Sequence, residues 1–118
     1  MSISIEWRET GSVVVLDVAG ESSIMDGQAL QQTVRSLAKE GKRLFVLNLK
    51  GLKHLDSFGL GQLVSTYISV RDQKGDVKIV NPSPGVRDLL RYSRIDTVVQ
   101  VVESEELAVS ELQKLVTT

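Results

Sequence analysis

His54, Asp56 and Ser57 place an imidazole, a carboxylate and a hydroxyl within one short stretch, the side-chain types of a hydrolase relay. Such a relay needs a base in contact with the nucleophile and a third group that orients the base from behind. Side chains so close in sequence do not normally reach that geometry. The stretch also lacks the Gly-x-Ser-x-Gly nucleophile elbow, because Leu55 and Asp56 stand upstream of the serine. His54 is therefore read as a loop residue without chemistry. Gly59-Leu60-Gly61 suggests a different chemistry, a glycine turn between strand and helix where the backbone approaches a pyrophosphate. Val64 stands where that pattern has its third glycine, no acidic residue follows a second strand at the required offset, and Gly-Lys-Ser/Thr is absent. These glycines are read as sites of close helix packing or of contact with a protein partner.

Ser57 is the remaining candidate, and the elements around it decide what it can do. An apolar run, Leu44-Phe45-Val46-Leu47-Asn48-Leu49, precedes it, and its near-continuous hydrophobicity predicts a central strand buried on both faces of a parallel sheet. After it, Leu60, Leu63, Val64, Tyr67 and Ile68 recur at helical spacing, with Arg71 snorkelling at the edge of the stripe, and the helix should end near Lys74-Gly75. Asp56 and Ser57 lie at the junction, and both are good N-caps because their side-chain oxygens accept from the unpaired N–H groups of a first helical turn. Ser57 is thus placed near the surface at a helix N-terminus, where the exposed N–H groups and the helix dipole favour a phosphate. A purely structural cap and a switchable phosphoacceptor both fit, and composition and periodicity do not choose between them.

The rest of the chain supplies the frame. Ile3, Ile5 and Trp7 alternate with polar residues and predict a strand with one buried face; Glu9-Thr10-Gly11-Ser12 reads as a turn into Val13–Val18, giving an N-terminal β-hairpin. Leu30, Val34, Leu37 and Ala38 predict a helix with Asp26 as a possible cap, running to about Glu40 and stopped by a left-handed Gly41. Val77–Asn81 is a short strand, and Ser83-Pro84 opens a short helix that buries Val86, Leu89 and Leu90. Val98–Val102 is the final strand, and Ser104 caps a last helix with Glu105 and Glu106 in its first turn and Ala108, Leu112, Leu115 and Val116 pointing inward. The pattern ββαβαβαβα predicts an α/β fold: a hairpin, then alternating helices and strands in a mixed, largely parallel sheet with right-handed crossovers.

The 118 residues fit a single domain spanning 1–118. A net charge of −1 gives no basic footprint for nucleic acid or an anionic membrane; Lys42, Arg43, Lys50 and Lys53 read as a solvated rim, and Trp7, Tyr67 and Tyr92 are too dispersed to stack bases. With no cysteine and one histidine, no metal site or cofactor is expected. The N-terminal residues lack signal-peptide character and no apolar run approaches the roughly 18 residues of a membrane span. A soluble cytoplasmic protein without membrane insertion is the expectation, and a homodimer is left open.

With these elements in place, the chain resembles a STAS domain, the family of bacterial anti-sigma factor antagonists and of the cytoplasmic tails of sulfate transporters. The resemblance rests on the hairpin ending in Gly20-Glu21, the strand Val46–Leu49, the turn Asp56-Ser57-Phe58-Gly59-Leu60-Gly61, and the segment Asn81–Leu90. It implies a STAS-type fold and a non-enzymatic function. By resemblance, Ser57 is the phosphoacceptor of a partner anti-sigma factor that is also a serine kinase. The unphosphorylated protein binds that partner and frees a sigma factor, phosphorylation ends the binding, and a PP2C-type phosphatase restores it. The partner surface then comprises Asp56, Ser57, Phe58, Gly59 and Leu60, with Ser23 and Asp26 from the segment after the hairpin. Two positions depart from the family pattern: Phe58 replaces a Ser or Thr, and Ser22-Ser23 follow Gly20-Glu21 where a hydrophobic residue and an acid are usual. Phe58 is either an added contact anchor or part of the core. Two alternatives stand beside this reading: a STAS subunit that scaffolds a membrane transporter of the lipid-trafficking ABC type without phosphorylation, and a nucleotide-binding module at Gly59-Leu60-Gly61.

Overall fold

The computed structural model describes residues 3–21 and 28–116. In chain order these form β1 (Ile3–Thr10), β2 (Val13–Glu21), α1 (Ala29–Lys39), β3 (Leu44–His54), α2 (Ser57–Asp72), β4 (Asp76–Val80), α3 (Pro84–Tyr92), a single 3-10 turn (Ile95–Thr97), β5 (Gln100–Val102) and α4 (Glu105–Gln113). The sheet order is β1-β2-β3-β4-β5, with β1 antiparallel to β2 and every other neighbouring pair parallel. β3 is the central strand, as its apolar run predicts.

Alternation along the strands sorts side chains onto two faces. Val14, Leu16, Phe45, Leu47 and Ile79 point toward α1, α2 and α3, where Leu30, Val34, Leu37, Leu63, Val70, Val86 and Leu90 meet them. Val13, Val15, Leu44, Val46, Val80 and Val102 point the other way, and Ala108, Val109 and Leu112 of α4 cover them. Lys78 also lies on the α4 face; its side chain is largely buried, and its ammonium donates to Gln100 Oε1 and sits 3.6 Å from Glu111 Oε2.

Local signals place most element ends. Ser83 Oγ accepts from Val86 N and Ser104 Oγ from Leu107 N, with Pro84 in the first helical turn. Gly41 stops α1 at φ 95°, as expected. The possible cap Asp26 lies outside the described residues, and the N-cap of α1 is Gln28, which makes no side-chain capping bond.

Several expectations are corrected. Trp7 is 49% exposed; Ile3 and Ile5 pack on the core, but an edge strand has a neighbour on one side only and its far half is not covered. In α2 the buried residues are Gly59, Leu63, Thr66 and Val70, so the helix is rotated from the predicted stripe and leaves Ile68 exposed. A glycine and a threonine carry no weight in a hydrophobic pattern, yet their small size lets this face approach its neighbours. β5 is three residues long because Arg94, at φ 63°, leads into the 3-10 turn that uses up the residues before it; Val98 is left exposed. Leu115 and Val116 are exposed beyond the end of α4. His54 is the last residue of β3 and not part of a loop.

Candidate functional site

β3 carries the chain to one end of the sheet, and only Leu55 and Asp56 separate it from α2. Leu55 packs against the core, which fixes the near side of the turn. Asp56 is extended at φ −90°, ψ 178°; its Oδ1 accepts from Gly59 N at 2.8 Å and its carbonyl from Leu60 N at 2.9 Å. Asp56 is thus the N-cap, and Ser57 is the first residue of the helix, exposed to solvent. Gly59 is buried and Leu60 half-buried against the core, so the far side is held as firmly. The hydroxyl of Ser57 is therefore presented on a rigid turn at the positive end of a sixteen-residue helix. Phe58 is half-buried beside it.

Neither the relay nor the dinucleotide loop finds its usual geometry at this turn. Asp56 turns its carboxylate to the backbone of its own helix, which is not the orienting role of a relay acid. Gly59 and Gly61 lie within α2, not in a loop before it, so they form no cradle for a pyrophosphate. No cluster of potential metal ligands occurs among the described residues. Ser23 and Asp26, expected on the partner surface, lie outside the described residues.

Beneath the turn, α2 meets β1, β3 and α1 around an apolar cavity of about 20 Å3. Gln62 borders it, and both Gln62 Oε1 and Thr66 Oγ1, one turn further along, are buried without a hydrogen-bond partner among the described residues. Each such atom costs roughly 1–3 kcal/mol of desolvation. Neither was recognisable from spacing, because a polar residue on a helix is ordinarily assigned to its solvent face.

A second polar group that sequence reasoning missed lies on the α4 side. Arg8 forks to Asp17 through Nε and Nη2, both at 3.0 Å, and to Glu105 through Nη1 at 2.6 Å and Nη2 at 2.7 Å. Asn48 Nδ2 donates to Asp17 Oδ1 at 2.8 Å, and Asn81 Nδ2 donates to Asn48 Oδ1 at 3.2 Å. The chain Glu105-Arg8-Asp17-Asn48-Asn81 thus crosses the sheet from its edge to the end of β4. The Arg8 hydrogen bonds hold the carboxyls of Asp17 and Glu105 below their ordinary values, and the same bonds raise Arg8. Nothing local in the sequence pointed to a partner 97 residues away.

A five-stranded mixed sheet with helices on both faces and a serine on a capped α2 turn define a class: the chain belongs to the STAS domain family, whose model matches residues 4–108. Among its relatives is the anti-sigma-B factor antagonist of Bacillus subtilis, 26% identical over 106 residues that cover 90% of this chain and 96% of that protein. The crystal structure of an anti-sigma factor antagonist from Mycobacterium paratuberculosis superposes with a TM-score of 0.84 at 21% identity, covering 94% of each chain. The phosphorylated form of the Bacillus cell fate determinant SpoIIAA superposes with a TM-score of 0.70 at 20% identity, covering 92% of this chain and 98% of that one. No helix among the described residues is long and apolar enough to cross a membrane.

Proposed function

We propose that this chain is a cytoplasmic, non-enzymatic anti-sigma factor antagonist: it binds an anti-sigma factor that is also a serine kinase, releases a sigma factor, and is switched off by phosphorylation of Ser57. The observation that carries this reading is an exposed Ser57 hydroxyl at the first position of α2, in a STAS chain related along nearly its whole length to an anti-sigma-B factor antagonist. That a protein of this fold, SpoIIAA, has a phosphorylated form supports it. A PP2C-type phosphatase would reset the switch.

The physics accounts for how one phosphate ends binding without unfolding the protein. A phosphoserine carries about −1.5 to −2 charges, and the N–H groups and dipole at the start of α2 accommodate them. The helix therefore stays formed, and the change is felt by whatever lies opposite. One unit charge about 4 Å from another is worth on the order of 4 kcal/mol near a protein surface, which corresponds to roughly a thousandfold in affinity. Phe58 adds an aromatic contact beside the charge, a common anchor type in interfaces.

The test is incubation with the cognate kinase-type anti-sigma factor and ATP, mass spectrometry of the product, and calorimetry of the complex. Ser57 is expected to take the phosphoryl group, Ser57→Ala to bind the partner as the parent does, and Ser57→Asp to lose most of the affinity. An unmodified Ser57 together with unchanged binding by Ser57→Asp would remove the switch.

A further inference from the structure

β3 outruns β4. The two strands pair from Leu44↔Asp76 to Asn48↔Val80 and no further, while β3 continues against β2 as far as Glu21↔His54. The cause is local: Asn81 adopts a left-handed φ of 56°, Pro82 has no N–H to donate, and the chain turns aside into α3. Where β4 leaves, the Asn48 side chain stands in for it, Oδ1 accepting from Lys50 N at 3.2 Å. Beyond that point no strand among the described residues flanks β3 on this side. The overrun is shaped by two register shifts against β2 and by the close approach of Gly51, where a Cβ would meet that of Ala19 at 2.7 Å.

Between this edge and α3 lies a groove of about 210 Å3 lined by Lys53, His54, Leu55, Gly85, Val86 and Leu89. Its floor is apolar, and Lys50, Lys53 and His54 are exposed along the strand. Among the described residues no carboxylate lines it.

We propose that the overrun of β3, from Lys50 to His54, is a docking edge that takes an extended acidic segment of a protein partner as an added strand. An unpaired strand edge offers main-chain donors and acceptors, and an adjacent apolar groove receives alternate side chains of the incoming segment. Charge selects the occupant. Exposed lysines on an edge strand repel a second copy of the same edge, so self-association through β3 is disfavoured, whereas glutamates or aspartates on an incoming strand are attracted. The partner class rests on the proposed function, and the two fit together. His54 ends the edge, and Leu55 and Asp56 alone separate it from Ser57, so a phosphoserine would repel the acidic strand that the lysines attract.

The experiment is a nitrogen-15 NMR titration of the full chain with an end-blocked seven-residue peptide of alternating valine and glutamate. The controls are a valine–lysine peptide and a valine–glutamate peptide N-methylated at alternate residues. Dose-dependent shifts confined to Leu49–His54 and Gly85–Leu89, with slowed amide exchange along the edge, are expected for the acidic peptide alone. The double variant K50E/K53E should weaken binding by about tenfold, its dispersed spectrum reporting that it remains folded. Shifts at β1 or β5 instead, no shifts at the edge, equal binding of the N-methylated or lysine peptide, or edge shifts that grow with protein concentration alone would each overturn the proposal. The titration uses neither kinase nor phosphate, so its failure is separable from a failure of the Ser57 switch.

Discussion

At Asp56 and Thr66, one helix carries a satisfied polar side chain and an unsatisfied one. Asp56 takes up an N–H that the helix cannot pair internally, and Asp56→Ala should cost about 1 kcal/mol, lowering the midpoint of thermal unfolding by about 3–5 °C on circular dichroism. Thr66 is 1% exposed and its hydroxyl has no hydrogen-bond partner among the described residues. Thr66→Val keeps the volume and removes the orphaned group, so it should stabilise the protein by about 1 kcal/mol in urea titrations, with the slope unchanged. These two residues also mark what sequence could convey. The caps Asp56, Ser83 and Ser104 were legible because a cap is a bond between near neighbours. The burial of Thr66 was not, because it depends on how α2 rolls against α1 and the sheet.

At the scale of elements, Arg8 is the latch between the edge strand β1 and the start of α4. Asp17 and Glu105 have carboxyls depressed below their free values of 3.8 and 4.5. A depressed carboxyl contributes stability that is complete above its unfolded value and is lost as pH falls through its folded one. The contribution of the latch should therefore be constant above about pH 5 and decline on acidification below that range, and Arg8→Ala should flatten the acid decline in stability, as urea midpoints measured from pH 7 to pH 3 would show. Because Arg8 is nearly half exposed, solvent screening limits the latch to about 1 kcal/mol at neutral pH. The order of elements was legible throughout, since each strand and helix carries its own period. The extra length of β3 was not, because Gly51, Leu52 and His54 are held in the strand by their pairing with β2 and not by their own preferences.

For the molecule as a whole, the two faces of the sheet are unequally protected. Three helices cover one, while nine-residue α4 covers the other. Leu112 is fully buried at the centre of that contact. Leu112→Ala should cost about 2–5 kcal/mol, enough to leave an appreciable unfolded fraction and to promote binding of a hydrophobic dye at 37 °C. Leu115 and Val116, which the helical pattern assigned to this core, contribute little to it because α4 has already ended.

The latch also bears on the order of events in folding. Its two ends are separated by 97 residues, whereas Asp17 and Asn48 are 31 apart and the β1–β2 hairpin closes through a tight turn at Gly11. Loop closure grows costlier with length, so the hairpin can form early, the parallel pairing of β2 with β3 must wait for α1 to cross over, and the Arg8–Glu105 contact closes after both. An interaction made after the rate-limiting step governs how fast the native state is left and not how fast it is reached. The Arg8–Glu105 half of the latch is therefore expected to act chiefly on the lifetime of the folded protein, and Glu105→Ala should speed unfolding more than it slows folding in stopped-flow urea jumps.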